Sequence, residues 1–483
     1  MNFDNFFYPE NSMTNLTRRS FLKKSVLASA GVAVMASPMI VPKSVLGRNN
    51  DVPPSERVTM GLIGCGSHGA GWNLDMMFNN PMQQVVAVCD VDKNYLSAAQ
   101  NKVNGHYSQQ TGQNYSGCDA YEDFRDLVNR KDIDAVDVVT PDHWHVMMAV
   151  FAMKAGKDVI CEKPTLTITE GRILSDTQKQ TQRVFQTASE NRSIECYQHV
   201  VNLARNGLLG EVRNIKVLLP PGNTAERDPN QDEAKAFFSE SAVPEELDYD
   251  KWLGPTPVRP YVPARVHYNW RWNYDYSGGV LTDWGSHLVN IAQWVNDSDD
   301  TGPVEVQGTG DFPDFNAPWN TAPTFDIKYR YANGVRMNIW SEVPGIKVEG
   351  TKGWVLVRGW RGNTTASDEK LITMKFDGDK NFGRPESTVA TDAPIGGEHI
   401  DFANCVKSRK LCYYTAESGH RNHTIAHMGN ISMLLGGVKL QWDPAMERFT
   451  GEHADEANRH FCMARQQRDP WTFANIDSWI NVG

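Results

Sequence analysis

Long apolar runs, cysteine motifs and surplus positive charge are all missing from this 483-residue chain. Beyond the first 45 residues no segment approaches the roughly 18 uninterrupted apolar residues of a membrane-spanning helix. The eight cysteines are scattered, with no C-x-x-C pair and no zinc-finger spacing, so neither a redox dithiol nor a zinc module is indicated. Cys65, Cys89 and Cys161 fall in expected strands or a strand-end loop and suit small buried hydrophobes. One disulfide in an oxidising compartment stays open; a disulfide framework does not. The formal charge is -10, and without residues 1–45 the balance is 43 basic against 56 acidic side chains, or -13. Such a surface repels phosphate backbones and argues against nucleic acid as a partner. There is no internal repeat and no low-complexity tract.

What is present begins with Thr17-Arg18-Arg19-Ser20-Phe21-Leu22-Lys23, followed by a weakly apolar stretch from Val26 to Val41. This reads as a twin-arginine leader, the route that carries folded proteins across a membrane. The expected location is therefore periplasmic or otherwise exported, with the twin-arginine machinery as a partner. Neither Ala36-Ser37-Pro38 nor Val45-Leu46-Gly47 is a clean cleavage site, so an uncleaved leader acting as an anchor stays open.

From Arg57 short β-branched runs alternate with helical stretches: strands at 58–63, 84–89, 135–139 and 158–161, helices at 71–78, 94–103, 124–129 and 145–155. That alternation predicts βαβ units and a doubly wound parallel sheet. After about Ser189 strand-like runs at 212–219, 304–308, 325–331, 335–341 and 354–358 predict a mostly antiparallel open sheet. A segment rich in proline and acids, 220–265, is too long for an ordinary connection. A polar stretch, 378–397, precedes helices at 398–407 and 416–435. The expected division is a leader at 1–45, a dinucleotide-binding Rossmann domain at 55–190 and an α+β domain at 191–483 for substrate and oligomerisation. The class is α/β.

Three motifs carry chemistry. Gly64-Cys65-Gly66-Ser67-His68-Gly69 is a G-x-G-x-x-G that follows a strand and opens a helix, with Asp90 at the end of the next strand. Gly64 allows the tight turn, Gly66 lets a pyrophosphate approach the backbone, Gly69 lets the helix pack, and Asp90 suits ribose hydroxyls. A carboxylate there repels a ribose phosphate, so NAD is expected over NADP. Glu162-Lys163-Pro164 follows the 158–161 strand, at the edge where parallel sheets bind ligands. An ammonium there can hold a reacting oxygen and help move its proton, although a strand-end surface lysine is the commoner origin of such a tripeptide. Asp283 and His287 are four apart, so on a helix they share a face, and a carboxylate beside an imidazole orients it as a base. A helix-start hydrogen bond is the commoner reading of such a pair.

Before that pair, Tyr268, Trp270, Trp272, Tyr274 and Tyr276 alternate. Aromatic faces stack on the C–H face of a sugar, and Asn269 and Arg271 can bond its hydroxyls; a strand with one aromatic face in the core explains about half of them. His420, His423 and His427 lie on one helix without an obvious acidic partner, which favours a structural role or a contact with a neighbouring active site over a metal.

Together these residues resemble the Gfo/Idh/MocA family, the glucose–fructose oxidoreductase and inositol dehydrogenase group, from about Arg57 onward. In that family an E-K-P lysine and a D-x-x-x-H pair flank the nicotinamide and the sugar carbon, which implies catalytic roles for Lys163, Asp283 and His287. The resemblance extends to Thr140-Pro141-Asp142-His143-Trp144-His145, which looks like the family's third-strand loop along the cofactor. It thus implies cofactor contacts from Gly64, Gly66, Ser67, His68, Gly69, Asp90, Thr140, Pro141, His143, His145, Glu162 and Lys163. Substrate contacts are expected from Trp270, Arg271, Trp272 and Tyr274, with no metal. Segments 247–255 and 436–448 resemble exported bacterial members, and a homo-dimer or homo-tetramer is implied.

Export adds a constraint, because no free NAD pool exists outside the cytoplasm. A retained cofactor must be regenerated on the enzyme. The expected function is an NAD-dependent oxidoreductase of a sugar or glycoside with an internally recycled cofactor. A net glycoside hydrolase working by oxidation, elimination, hydration and reduction, resembling the family's NAD-dependent glycosidases such as those acting on N-acetylgalactosaminides, is the alternative. A non-catalytic NAD-bound carbohydrate binder is a third reading. Asp90 yields the first test: titrated against the purified protein, NAD binds more tightly than NADP, and a tenfold preference for NADP overturns the assignment.

Overall fold

The computed structural model describes residues 52–223, 232–382 and 397–480. The leader and both candidate cleavage sites lie outside the described residues, as does most of the 378–397 stretch. Residues Ser55–Gly483 form one compact unit. Among the described residues no helix is long and apolar enough to cross a membrane.

The N-terminal half is built on strands β1 (Val58–Ile63), β2 (Gln83–Cys89), β3 (Asp119–Tyr121), β4 (Ala135–Val138), β5 (Asp158–Glu162) and β6 (Phe185–Ala188). They pair in parallel in the order β3-β2-β1-β4-β5-β6, as the alternation predicts. Their near-continuous apolar runs, V-T-M-G-L-I in β1 and A-V-D-V in β4, are what a sheet buried on both faces requires. Helices α1 (Leu74–Phe78), α2 (Lys93–Thr111), α3 (Phe124–Val128), α4 (Asp142–Lys154) and α5 (Ile168–Thr181) connect them. Side-chain caps start several of these: Asp92 accepts from the amides of Asn94 and Tyr95, and Thr167 from that of Glu170. Short β3, with only three residues, and β6, hidden in F-Q-T-A, escape the sequence pattern.

Helix α6 (Glu195–Arg205) and strand β7 (Val212–Leu219) open the second half. The long connection that follows carries two short helices, α7 (Asp232–Phe237) and α8 (Tyr249–Leu253), then helix α9 (Val280–Val295). Strands β8 (Glu305–Asp311), β9 (Thr324–Arg330), β10 (Arg336–Ser341), β11 (Gly345–Gly350), β12 (Trp354–Arg358) and β13 (Asn363–Ala366) follow. After α10 (Glu369–Ile372), α11 (Gly397–Ser408) and α12 (Ala416–Leu434), strands β14 (Leu440–Asp443) and β15 (Arg448–Thr450) complete a nine-stranded sheet, with α13 (Ala454–Asn458) beside it. Its order is β13-β12-β11-β7-β10-β9-β8-β14-β15, antiparallel throughout except for β7 against β10. One face is apolar and covered, the other polar: Phe325, Ile327 and Tyr329 are buried on β9 while Asp326, Lys328 and Arg330 are exposed.

Helix α12 is the spine of the molecule. It packs against α5 of the first half and against α9 and β8 of the second, and is buried almost all round. Its three histidines serve that packing: His420 meets Glu447 at 3.0 Å, His423 Nδ1 accepts the Thr165 amide at 3.3 Å, and His427 Nε2 lies 2.8 Å from the Thr165 carbonyl. Cys65, Cys89 and Cys161 are buried and unpaired.

Tyr268–Tyr276 is not a strand. His267–Trp272 winds as a 3-10 helix, and its alternating aromatics therefore diverge instead of sharing one face. Leu288 of α9 is fully buried in the core beneath the nine-stranded sheet. Leu288→Ala is expected to cost about 2–5 kcal/mol, read as a lower urea midpoint with an unchanged slope.

Candidate active site

Strand β1 delivers the chain into the glycine loop at the carboxyl end of the parallel sheet. Gly64 has φ +99°, and a Cβ there would stand 2.3 Å from the Val139 carbonyl oxygen. A Cβ on Gly69 would meet the Gly64 carbonyl at 2.0 Å, whereas one on Gly66 would meet nothing within 4 Å. Gly64 and Gly69 thus keep the turn tight, and Gly66 leaves its backbone open to a ligand. Asp90, at the end of β2, accepts from the amides of Cys65 (2.6 Å) and Asp92 (2.8 Å). Burial pushes its carboxyl up to about 6 despite those bonds.

A cavity of about 390 Å³ runs along this edge. Gly64, Gly66, Ser67, His68, Gly69, Asp90, Thr140, Pro141, His145, Glu162 and Lys163 all line it, as do Trp270 and Arg271. The hydroxyl of Thr140 is buried without a partner. An open glycine backbone, a carboxylate at the second strand and an unpartnered hydroxyl fit a dinucleotide. Glu162 turns to the loop itself: His68 Nε2 lies 3.1 Å from its Oε1 and Asn73 Nδ2 3.4 Å away. Burial alone would raise Glu162, but the His68 contact reverses this and brings it to about 2. Both ring nitrogens of His145 face carbonyls, Pro164 at 2.8 Å and Thr140 at 2.6 Å.

The far wall comes from the long connection. Lys93 donates its amide to the Glu246 carbonyl at 3.0 Å, Asp248 donates to Val91 at 2.9 Å, and Asp92 bridges Leu247. These bonds fasten segment 246–271 across the end of the cavity beside Asp90 and Asp92, where His267 lies 3.8 Å from Asp92. No periodicity in the sequence announces such a strap, because its fixing bonds are between backbones.

Lys163 directly follows β5 and donates to Asp283 Oδ1 at 2.6 Å; the side chains are 11% and 17% exposed. Arg271 Nε approaches the other carboxylate oxygen at 3.6 Å. Burial would push Asp283 up, but Lys163 and Arg271 hold it well below the usual carboxylate range. Asp283 and His287 sit one turn apart in α9, as expected, yet they are not hydrogen-bonded to each other. The ammonium takes the carboxylate, and His287 Nδ1 pairs instead with Ser189 Oγ at 3.1 Å, just beyond the end of β6. Burial and then the Lys163 charge depress His287 to about 3, so its ring is neutral. The Trp360 ring stands edge-on at 4.6 Å. Its indole N–H donates to Glu190 at 2.9 Å.

Three expected contacts are corrected. His143 is buried away from the cavity, with Nε2 2.8 Å from the Trp252 carbonyl and its ring against Trp252 and Tyr276. On the first turn of α4, only two residues from His145, it faces the opposite way. Trp272 belongs to the core beneath the nine-stranded sheet, and Tyr274 is buried with its hydroxyl on Asn430 at 3.1 Å. Ser189 and Trp360 escape sequence reasoning altogether, Ser189 because the short strand that delivers it, β6, carries no recognisable pattern.

Comparison with known proteins agrees with this geometry. Residues 58–189 match the model "Oxidoreductase family, NAD-binding Rossmann fold" and residues 198–473 match "Oxidoreductase family, C-terminal alpha/beta domain". A glycosyl hydrolase family 109 protein from Shewanella sp. strain ANA-3 is 36% identical over 215 residues, 41% of this chain and 45% of that relative. The match thus spans under half the length of the relative. The aldose-aldose oxidoreductase of Caulobacter crescentus, solved with glycerol, superposes with TM-score 0.55 at 16% identity, covering 80% of this chain and 99% of that one. The WlbA dehydrogenase of Bordetella pertussis, solved with NADH and UDP-GlcNAcA, gives 0.56 at 15%, with the same coverage. At these identities the structural likeness concerns the fold.

The titrating groups set a pH dependence. His143 and His287 are lowered to about 3 and His399, His427 and His460 to about 4, in each case chiefly by burial. Below an unfolded value near 6.5 the unfolded chain binds protons that the native rings refuse, so stability falls as pH drops from 6.5 toward 4. Glu398, raised by burial to about 8, has the opposite sign: its contribution is full below pH 4.5 and lost as pH rises through 8. His287→Gln is expected to make the acid arm shallower by about 1.4 kcal/mol per pH unit, measured as urea midpoints between pH 6 and 4.

Proposed function

The chain belongs to the Gfo/Idh/MocA oxidoreductase family, and on that premise we propose that it oxidises and re-reduces a sugar or glycoside while keeping its NAD bound. The observation that carries this is the contact between Lys163, which lines the dinucleotide cavity, and Asp283, with a neutral imidazole one helical turn from the carboxylate. Bound NAD supplies the hydride acceptor. The chain's own residues manage the oxygen and its proton. Asp283 fixes the Lys163 ammonium by charge, and Lys163 holds the hydroxyl oxygen of the substrate. Neutral His287, turned by Ser189 through Nδ1, offers Nε2 to the leaving proton; on reversal it returns it. Trp270 and Arg271 on the cavity wall supply an apolar face and a fork of donors for the ring.

The glycosidase cycle shares this first step and is favoured by one further finding, the glycosyl hydrolase family 109 name of the relative at 36% identity. In it neutral His287 would take the proton made acidic beside the ketone while the Lys163 ammonium holds the ketone oxygen; the leaving group would depart and water add in its place, with bound NAD supplying the redox chemistry at both ends. Both cycles are redox-neutral overall, which suits the exported location read from Arg18 and Arg19. Association into dimers or tetramers through the polar face of the nine-stranded sheet, and retention of the leader as an anchor, belong to the same proposal. The alternation of exposed side chains on β9 supports the former.

Incubating the purified protein with a nitrophenyl glycoside and no added cofactor separates the cycles. Nitrophenol release identifies the hydrolase, and a keto-sugar beside a reduced acceptor the oxidoreductase. In either case Lys163→Met is expected to lower turnover by about 10²- to 10⁴-fold with NAD still present after denaturation. A sugar that binds without any change in nicotinamide absorbance overturns both cycles in favour of a carbohydrate binder.

A further inference from the structure

A second cavity, of about 500 Å³, shares no lining residue with the dinucleotide cavity. It opens between the end of the long connection, the 315–320 loop and the segment after α13. Four arginines line it, Arg259, Arg265, Arg459 and Arg465, in a protein whose overall charge is -10. Arg259 is paired with Asp275 at 2.8 Å. Among the described residues none of the other three has a carboxylate within 4.0 Å.

Arg465 is the informative one. Its guanidinium is clamped by carbonyls, Nε donating to Phe461 at 3.2 Å and Nη1 to Tyr274 and Asp275, while Nη2 has no partner. The Nε of Arg265 is likewise buried and unpartnered. Burial pushes the Arg465 pKa down, and the more distant Glu170 and Asp275 only partly offset it. Glu170, also in the lining, is raised by burial to about 7 against the pull of Arg465, so near neutral pH it offers only a partial negative charge and no direct ion pair. A fixed, partly dehydrated guanidinium with unused donors is costly unless an anion completes it.

Three aromatic rings share the lining with these arginines. Tyr274 and Phe315 stack at 6.2 Å, Phe461 meets Tyr274 edge-on at 5.5 Å, and Phe315 is 52% exposed. An exposed ring beside an incomplete guanidinium asks for a ligand with both an apolar face and a carboxylate.

We propose that this cavity binds a carboxylate-bearing sugar, with its carboxylate on Arg465 and Arg459 and its C–H face on Phe315 and Phe461. The volume is in the range of sites that enclose small molecules. The site is independent of the redox chemistry, which uses none of these residues.

Calorimetric titration of the purified protein with glucuronate, glucose and inorganic sulfate at low salt tests it. Glucuronate is expected to bind at one site, glucose not measurably, and sulfate more weakly than glucuronate. Arg465→Gln is expected to weaken glucuronate about tenfold or more, and Arg459→Gln, an exposed turn position that leaves packing intact, at least about threefold. Lys163→Met leaves it unchanged. Glucose binding as tightly as glucuronate, sulfate matching glucuronate, affinity unaltered by Arg459→Gln, or affinity abolished by Lys163→Met each overturns the proposal.

Discussion

The contact between Lys163 and Asp283 joins two elements that otherwise have separate reasons to exist. The lysine sits where a parallel strand ends, and the carboxylate sits in the first turn of a helix lying on a different sheet. Both charges are largely withdrawn from water, and removing either partner of such a pair leaves an unmatched charge at a cost of about 3–5 kcal/mol. The same ammonium also disfavours a proton on His287. The contact thus keeps Asp283 ionised beside Lys163, while burial first and the same ammonium second keep the imidazole neutral. Alcohol oxidation needs that distribution, a cation on the oxygen and a free base for its proton.

Holding this contact at 2.6 Å requires that the parallel sheet and helix α9 keep a fixed separation. Helix α12 provides it by touching both. Its histidines, buried and occupied with the carbonyl and amide of Thr165 and with Glu447, tie the helix to the residues directly after Lys163. Polar groups at a packed interface fix register more sharply than apolar ones, because a slip leaves them unpaired. Reacting atoms displaced by about 1 Å lose much of the advantage of being held together.

The parts legible in the sequence are those where backbone geometry forces a residue type. Gly64 and Gly69 have no room for a side chain, Asp90 must end its strand, and the apolar strands of the parallel sheet must be buried on both faces. What resisted reading are choices between competing partners. Spacing put Asp283 and His287 on one face, but spacing could not reveal that Lys163, 120 residues earlier, would win the carboxylate or that Ser189 would take the imidazole. The aromatic alternation from Tyr268 to Tyr276 has a strand's period, but its first part winds as a tight helix, His267–Trp272, and its end as a turn. Trp270 therefore reaches the cavity while Trp272 enters the core and Tyr274 is buried beside the second cavity. His143 and His145 show the same limit, since two helical residues two apart point apart.

The turn His267–Trp272 touches both ends of the dinucleotide cavity. His267 lies beside Asp92 at one end, and four residues later Arg271 lies beside Asp283 at the reactive end. A single short turn thus carries both contacts, so they share one stretch of backbone. Laboratory attempts to retune cofactor preference near Asp92 would consequently be expected to detune substrate geometry as well, and the two properties would have to be redesigned in concert.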